Sequence, residues 1–196
     1  MDNLYELLKL WHLLSFVFMS IPLFNLIVVN ERALMGSSFN FGADIYMENI
    51  IRHGAYRCYV FQLSVLISGI LLLVYGPWDW ESVITNSILI IKTVLLFVLM
   101  GLLSYVHFSL QPKIDNFFKD VMPDAQVPDN FLAPVKPYRV LRKRLATFCL
   151  FLVLTTIILG MQVFGVFPLW LNIILIVLAA LFVWRVNKTL ILFGWV

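Results

Sequence analysis

Five runs of apolar residues, separated by polar connections, make up most of the chain. A bilayer-spanning helix needs roughly 20 apolar residues. The runs at residues 4–29, 56–75, 83–110, 145–164 and 169–184 meet or approach that length. The third run, VITNSILIIKTVLLFVLMGLLSYVHFSL, is the most informative. It carries one full charge, Lys92, and stops just short of Pro112. Stepping 100° per residue from Lys92 puts Thr85 at about 20°, His107 at about 60°, Met100 at about 80° and Ser104 at about 120°. One stripe thus gathers the polar and soft side chains, and the opposite face is Leu, Val and Phe. Ionisable groups within a membrane face a bundle interior or a cavity, so this stripe predicts an inward-turned face.

The other elements follow in order. In the first run His12, Ser15 and Met19 fall on one face, and Pro22 predicts a kink. The connection after it contains Gly36, Ser37, Ser38 and Gly42. Its second half, ADIYMENIIRHGAYR, has helical spacing and predicts a short interfacial helix ahead of span two. Ser64, Ser68, Gly69 and Gly76 give span two a small-residue face suited to close packing. GPWDWES reads as a tight hairpin with Trp78 and Trp80 at the membrane surface. Residues 111–144 hold Pro112, Pro123, Pro128, Pro134 and Pro137 and predict an irregular cytoplasmic loop. That loop ends in YRVLRKR, a topology determinant with acidic-lipid binding as a secondary role. Thr147, Thr155 and Gln162 share a face of span four. The tail TLILFGWV is too short to span and is expected at the interface or against a partner. The predicted fold is an all-α polytopic bundle of five transmembrane helices, forming one domain over residues 1–196.

Composition agrees with this reading. The chain is 62% hydrophobic and 13% charged, whereas a soluble domain is about half apolar and a quarter charged. A net charge of +3 is too small to argue for a nucleic-acid partner. The expected partners are the lipid bilayer and other membrane subunits. Cys58 and Cys149 lie in or beside spans and form no CxxC pair. The first run follows acidic residues and lacks a small-residue cleavage site, so it reads as a span and not as a cleaved leader.

Charge also orients the bundle. With five spans, the N-terminal side of the membrane carries one basic residue, Lys9, and the other side carries twelve. The positive-inside rule then places the N-terminus outside and the C-terminus in the cytoplasm. His12 lies about 12 Å below the outer end of span one, with Lys92 at a similar depth in span three. His107 and His53 lie near the inner side. By level, His12 pairs with Lys92 and His53 with His107, and His12 and His107 are too far apart in depth to share one metal.

These residue types suit three kinds of chemistry. Neutral imidazoles from facing helices hold a haem iron, which makes His107, His12 and His53 candidate haem b ligands. Copper(I) prefers thioether and imidazole, which Met19, Met100 and Met161 with His12 and His107 could supply. As a cation, Lys92 could hold an anionic group such as a haem propionate, or a quinone oxygen; alternatively it could be neutral, since burial disfavours the charged form of a lysine. Set against these, a histidine in a membrane helix often serves only as a hydrogen-bond partner between helices, and methionines and cysteines often only pack. Lys92 is harder to dismiss, because a charge that deep costs about 2.5–3.5 kcal/mol.

At these residues the chain resembles a membrane superfamily. LWHLLSFVFMSIPLF resembles the first span of the copper-resistance D-like and HemJ-like proteins. IIKTVLLFVLMGLLSYVHFSLQPKI resembles their third span, and YRVLRKRLATFCLFLVLTTIILG is similar to their basic lead into span four. The resemblance covers residues 4–166 and matches His12 and Lys92 to that family's span-one histidine and span-three lysine. It implies haem b or copper as cofactor, since the family includes a haem-b-associated protoporphyrinogen oxidase and copper transporters. The fifth span, the longer first connection and the Pro-rich loop depart from the family pattern and suit a subunit of a larger complex. The leading expectation is a haem-b-binding or redox-associated subunit of a membrane redox or energy-converting complex in a bacterial inner membrane. The alternatives are a structural accessory subunit without cofactor and a copper-handling membrane protein.

The twelve-to-one count of basic residues yields the first prediction. A reporter fused at the C-terminus is expected in the cytoplasm, and one at the N-terminus outside. Both ends on one side would remove the odd number of spans.

Overall fold

A computed structural model describes residues 2–31, 41–77, 80–119, 133–165 and 168–188. Seven α-helices and one π-helical turn account for nearly all of them: α1 (Asp2–Glu31), α2 (Phe41–Tyr75), α3 (Ser82–Thr85), α4 (Ser87–Tyr105), the π turn Val106–Leu110, α5 (Gln111–Phe118), α6 (Lys136–Phe164) and α7 (Leu169–Lys188). Five stretches are long and apolar enough to cross a membrane: Asn3–Asn30, Phe41–Tyr75, Ser87–Phe118, Lys136–Val163 and Leu169–Lys188. The expected five-helix bundle is therefore present. Trp78 of the hairpin and the tail TLILFGWV lie outside the described residues.

The boundaries differ from the expected ones at both ends of the polar segments, for physical reasons. No separate interfacial helix precedes span two: residues 41–75 form one helix of 35 residues. The polar half of α2 remains helical because it buries Asp44, Glu48 and Ile51 against the bundle instead of lying on a surface. The loop expected over 111–144 is helical at both ends, in α5 and in the first turns of α6; residues 120–132 lie outside the described structure. Pro112 does not end span three. It sits in the first turn of α5, where its missing N–H is least costly. The π turn just before it, closed by Gln111 N–H on the Val106 carbonyl, widens the helix where the proline ring would otherwise press on the carbonyl of Phe108. At the other end of this span Asn86 leaves the helix. Its side chain accepts from the N–H groups of Ile88 and Leu89 at 3.0 and 3.4 Å and caps α4.

α1 packs along α2 and α6, while α4 and α7 pack mainly on α6, so α6 is the hub. The core includes Phe16, Met19, Leu99, Leu150 and Val153. Lys92 belongs to the inward face of α4, as the helical angles predicted, and the deeper positions on that stripe are Leu96, Leu99 and Leu103. The small-residue face of span two meets α1. Trp11 Nε1 donates to Ser64 Oγ at 2.7 Å, and Ser15 Oγ lies 2.9 Å from it. Such bonds between membrane helices contribute about 0.6 kcal/mol each.

The basic end of the bundle holds a buried ionic network. Arg142 of α6 is fully buried. Its guanidinium reaches Glu48 at 2.6 and 3.1 Å, Gln111 Oε1 at 2.8 Å, and Asn30 Oδ1 at 2.8 and 3.2 Å. All five of its N–H donors are thereby engaged. Arg139, one turn earlier, pairs with Asp44 at 2.5 Å and Glu48 at 3.1 Å. Asn30 Nδ2 returns to the Arg139 carbonyl at 3.1 Å. Arg52 pairs with Asp115 at 2.8 Å on the more exposed rim. Arg139 and Arg142, part of the cluster read from sequence as a topology determinant with acidic-lipid binding as a secondary role, are buried ion-pair partners and so do not face lipid head groups.

Removing one member of a buried pair leaves a stranded charge and costs about 3–5 kcal/mol. Arg142→Met is expected to lose that much, measured by reversible unfolding in mixed detergent micelles. Arg52→Met, whose side chain is 40% exposed, is expected to lose less than about 1 kcal/mol. Equal losses would show that the network is not buried in the membrane-embedded protein.

Candidate functional site

α1, α2 and α4, with Trp80, Val83 and Val163, line a half-open cavity at the opposite end of the bundle from the ionic network. Its volume is about 240 Å³. The wall is mostly hydrocarbon and aromatic, with Phe16, Leu66, Trp80 and Phe97 among its residues, and His12 and Lys92 both open onto it. The pairing expected by depth is therefore realised as a shared wall. Alternating helix directions bring it about: the start of α1, the end of α2, the start of α4 and the end of α6 all meet there.

Two glycines give the site room. A Cβ on Gly69 would stand 3.4 Å from His12 Cε1, and one on Gly160 would stand 3.3 Å from Lys92 Nζ. His12 is held by Ser68, with Nδ1 to Oγ at 2.8 Å, and packs edge-to-face on Phe16 at 5.3 Å. No ion pair or hydrogen bond to the Lys92 ammonium is seen among the described residues. An ammonium half-buried in apolar wall with no counter-charge is the kind of group that marks a binding site within a membrane.

The other candidates lie elsewhere. His107 occupies the π turn, where its ring stacks edge-on against Tyr56 at 5.2 Å and Tyr59 at 5.8 Å. Its Nδ1 is buried, with no hydrogen-bond partner among the described residues. π turns recur at functional sites, but here the nearby Pro112 already accounts for the widening. His53 is exposed and bonds the Asn49 carbonyl of its own helix at 2.8 Å. No hydrogen bond or ring contact joins His53 to His107 among the described residues, so the level match brings no direct pairing. Met19 is buried in the core and Met161 is 43% exposed. The thioethers and imidazoles thus sit in different surroundings. Cys58 and Cys149 are free thiols on a central void of about 30 Å³, room for roughly one water.

No cluster of three or more His, Cys, Asp or Glu side chains able to hold a metal occurs among the described residues. At this cavity a haem clasped by two histidines does not fit, because His12 is the one imidazole among its lining residues. That cavity is also smaller than the roughly 300–1,000 Å³ typical of sites for larger organic ligands. It suits a smaller molecule, with an oxygen function at Lys92 and His12 and an apolar body along the wall.

The partners of Arg139 and Arg142 escaped the reading of the sequence. Their signal was local spacing: Asp44 and Glu48 lie four apart on one helical face, and Arg139 and Arg142 three apart on another. Two matched pairs of opposite charge on separate helices were present, but the carboxylates were assigned to a solvated interfacial helix.

Ser68→Ala is expected to cost about 0.5–1.5 kcal/mol in thermal unfolding. In ¹⁵N NMR, wild-type His12 should show the hydrogen on Nδ1, and the variant should show a mixture of tautomers. An Nε2–H ring in wild type would reverse the donor at Ser68.

Comparison with known proteins finds no matching family model, no matching curated protein and no matching solved structure.

Proposed function

We propose that the protein is a redox-associated integral membrane subunit whose cavity at His12 and Lys92 holds a small lipid-soluble molecule by an oxygen function. The observation that carries this reading is an ammonium, with no counter-charge seen among the described residues, that shares one mostly apolar wall with an imidazole. A hydroquinone-like compound has the matching chemistry: an oxygen for Lys92, a hydroxyl hydrogen for His12 and a ring for the aromatic wall. The redox association draws further support from the resemblance of spans one, three and four to a haem-linked family. Work within a larger membrane complex follows from the departures from that family noted above. Haem b is the weaker occupant, given a single imidazole at the cavity.

The accessory-subunit reading is favoured by one specific feature, the ionic network. It satisfies its own charges and braces four helices.

Detergent-purified protein tests these alternatives directly. A redox-active, lipid-soluble compound is expected in an organic extract, at up to one per chain and much reduced in Lys92→Leu. The reduced-minus-oxidised visible spectrum is expected to lack b-type haem bands. Haem bands lost in His12→Ala, or in His107→Ala, would replace this reading with the haem one. An empty extract and a blank spectrum would leave the accessory role.

A further inference from the structure

The polar groups on the cavity wall restrict the head group that can enter. Ser68 has one hydroxyl hydrogen, and it is engaged: Oγ donates to the Ser64 carbonyl at 2.7 Å and leans toward the Val65 carbonyl at 3.2 Å. Toward His12 Nδ1, Ser68 Oγ is therefore the acceptor, so Nδ1 carries the ring hydrogen. The Val65 carbonyl, 3.2 Å from Ser68 Oγ, also accepts from the ring and lies on the same side as Nδ1, so in the neutral ring Nε2 is left with the lone pair. Thr93, also on the wall, turns its hydroxyl back to the Leu89 carbonyl at 2.9 Å. The cavity thus presents one strong acceptor, His12 Nε2, and one cationic donor, Lys92 Nζ, on a mostly apolar wall that also includes Tyr5 and Trp80.

We infer that the cavity binds an amphiphile whose head is an acidic O–H group, a carboxylic acid or a phenol. A plain alcohol can donate to Nε2 but offers the ammonium no developing negative charge. A cationic head is repelled by Lys92. A bare carboxylate meets the lone pair of His12. An acidic O–H satisfies both groups at once: its hydrogen lies toward Nε2, and its oxygen lies against the ammonium. The hydrogen stays shared between that oxygen and Nε2, the partial negative charge on the oxygen is stabilised by Lys92, and no electron changes hands. The apolar tail runs along Leu66, Leu73 and Phe97. The inference rests on the cavity being a ligand site and does not depend on the redox association.

The test measures binding to the full-length protein in detergent. Decanoic acid and a decyl-substituted hydroquinone are the acidic probes, with decanol and decyltrimethylammonium as neutral and cationic controls. A charge-assisted hydrogen bond is worth enough to make an acidic probe about tenfold or more tighter than decanol in wild type. Lys92→Met and His12→Phe are each expected to abolish that preference, and Lys92→Arg to retain it. The wild-type comparison stands even where a variant fails to fold. If decanoic acid shows the preference and the hydroquinone does not, the inference holds and the redox reading fails. If the hydroquinone shows it, both hold. Equal binding of acid and alcohol, tighter binding of the cation, or a preference that survives in both His12→Phe and Lys92→Met overturns the inference.

Discussion

The fully buried guanidinium of Arg142 constrains the whole basic end of the bundle. With five N–H groups in a rigid plane, it must find acceptors from several directions at once. Glu48 of α2, Gln111 of α5 and Asn30 of α1 supply them. Four helices are thereby fixed in register around one side chain. This explains why α2 and the third span extend as helices well past their apolar stretches: each carries acceptors that Arg139 and Arg142 require. Such a network need not be more stable than a packed apolar plug of the same volume. It discriminates strongly between one register and another, since a slip of one residue would strand charges in a low-dielectric interior.

The two ends of the bundle handle charge in opposite ways. At the basic end every buried cation has an anionic partner within the fold. At the far end Lys92 lies against glycine, leucine and aromatic rings, with an imidazole as its nearest kindred group on the wall. The same physics that makes the first arrangement a brace makes the second a site. Charge left uncompensated in an apolar wall lowers its free energy by gathering water, a lipid oxygen or a ligand. Gly69 and Gly160 suit this use. Any larger residue there would press on His12 or Lys92, and the helices approach closely without filling the space in front of them.

The histidines illustrate how depth and direction divide the information. Residue counting along the spans placed His12 beside Lys92, and that proximity is what the cavity shows. The same counting put His53 level with His107. His53, however, points away from the bundle and bonds its own backbone, while His107 is held by Tyr56 and Tyr59. Level is a one-dimensional property and is legible from a chain. Pairing also needs the rotation of each helix about its axis, which neighbouring helices impose.

The sequence by itself determined the class of this protein, its five apolar helices, the inward face of the helix bearing Lys92, and the small-residue face on which α1 packs. Each of these follows from composition or from a period of 3.6 residues, both local quantities. Only the tertiary structure decided that Asp44 and Glu48 belong with Arg139 and Arg142, that Pro112 is absorbed by a π turn, and that the wall shared by His12 and Lys92 encloses a cavity. The first and last of these depend on groups far apart in the chain meeting in space, while the π turn is local but depends on how the helix packs. The cost of burying a charge decides which of the possible meetings survives, and that cost is defined once the helices have packed and water has been excluded.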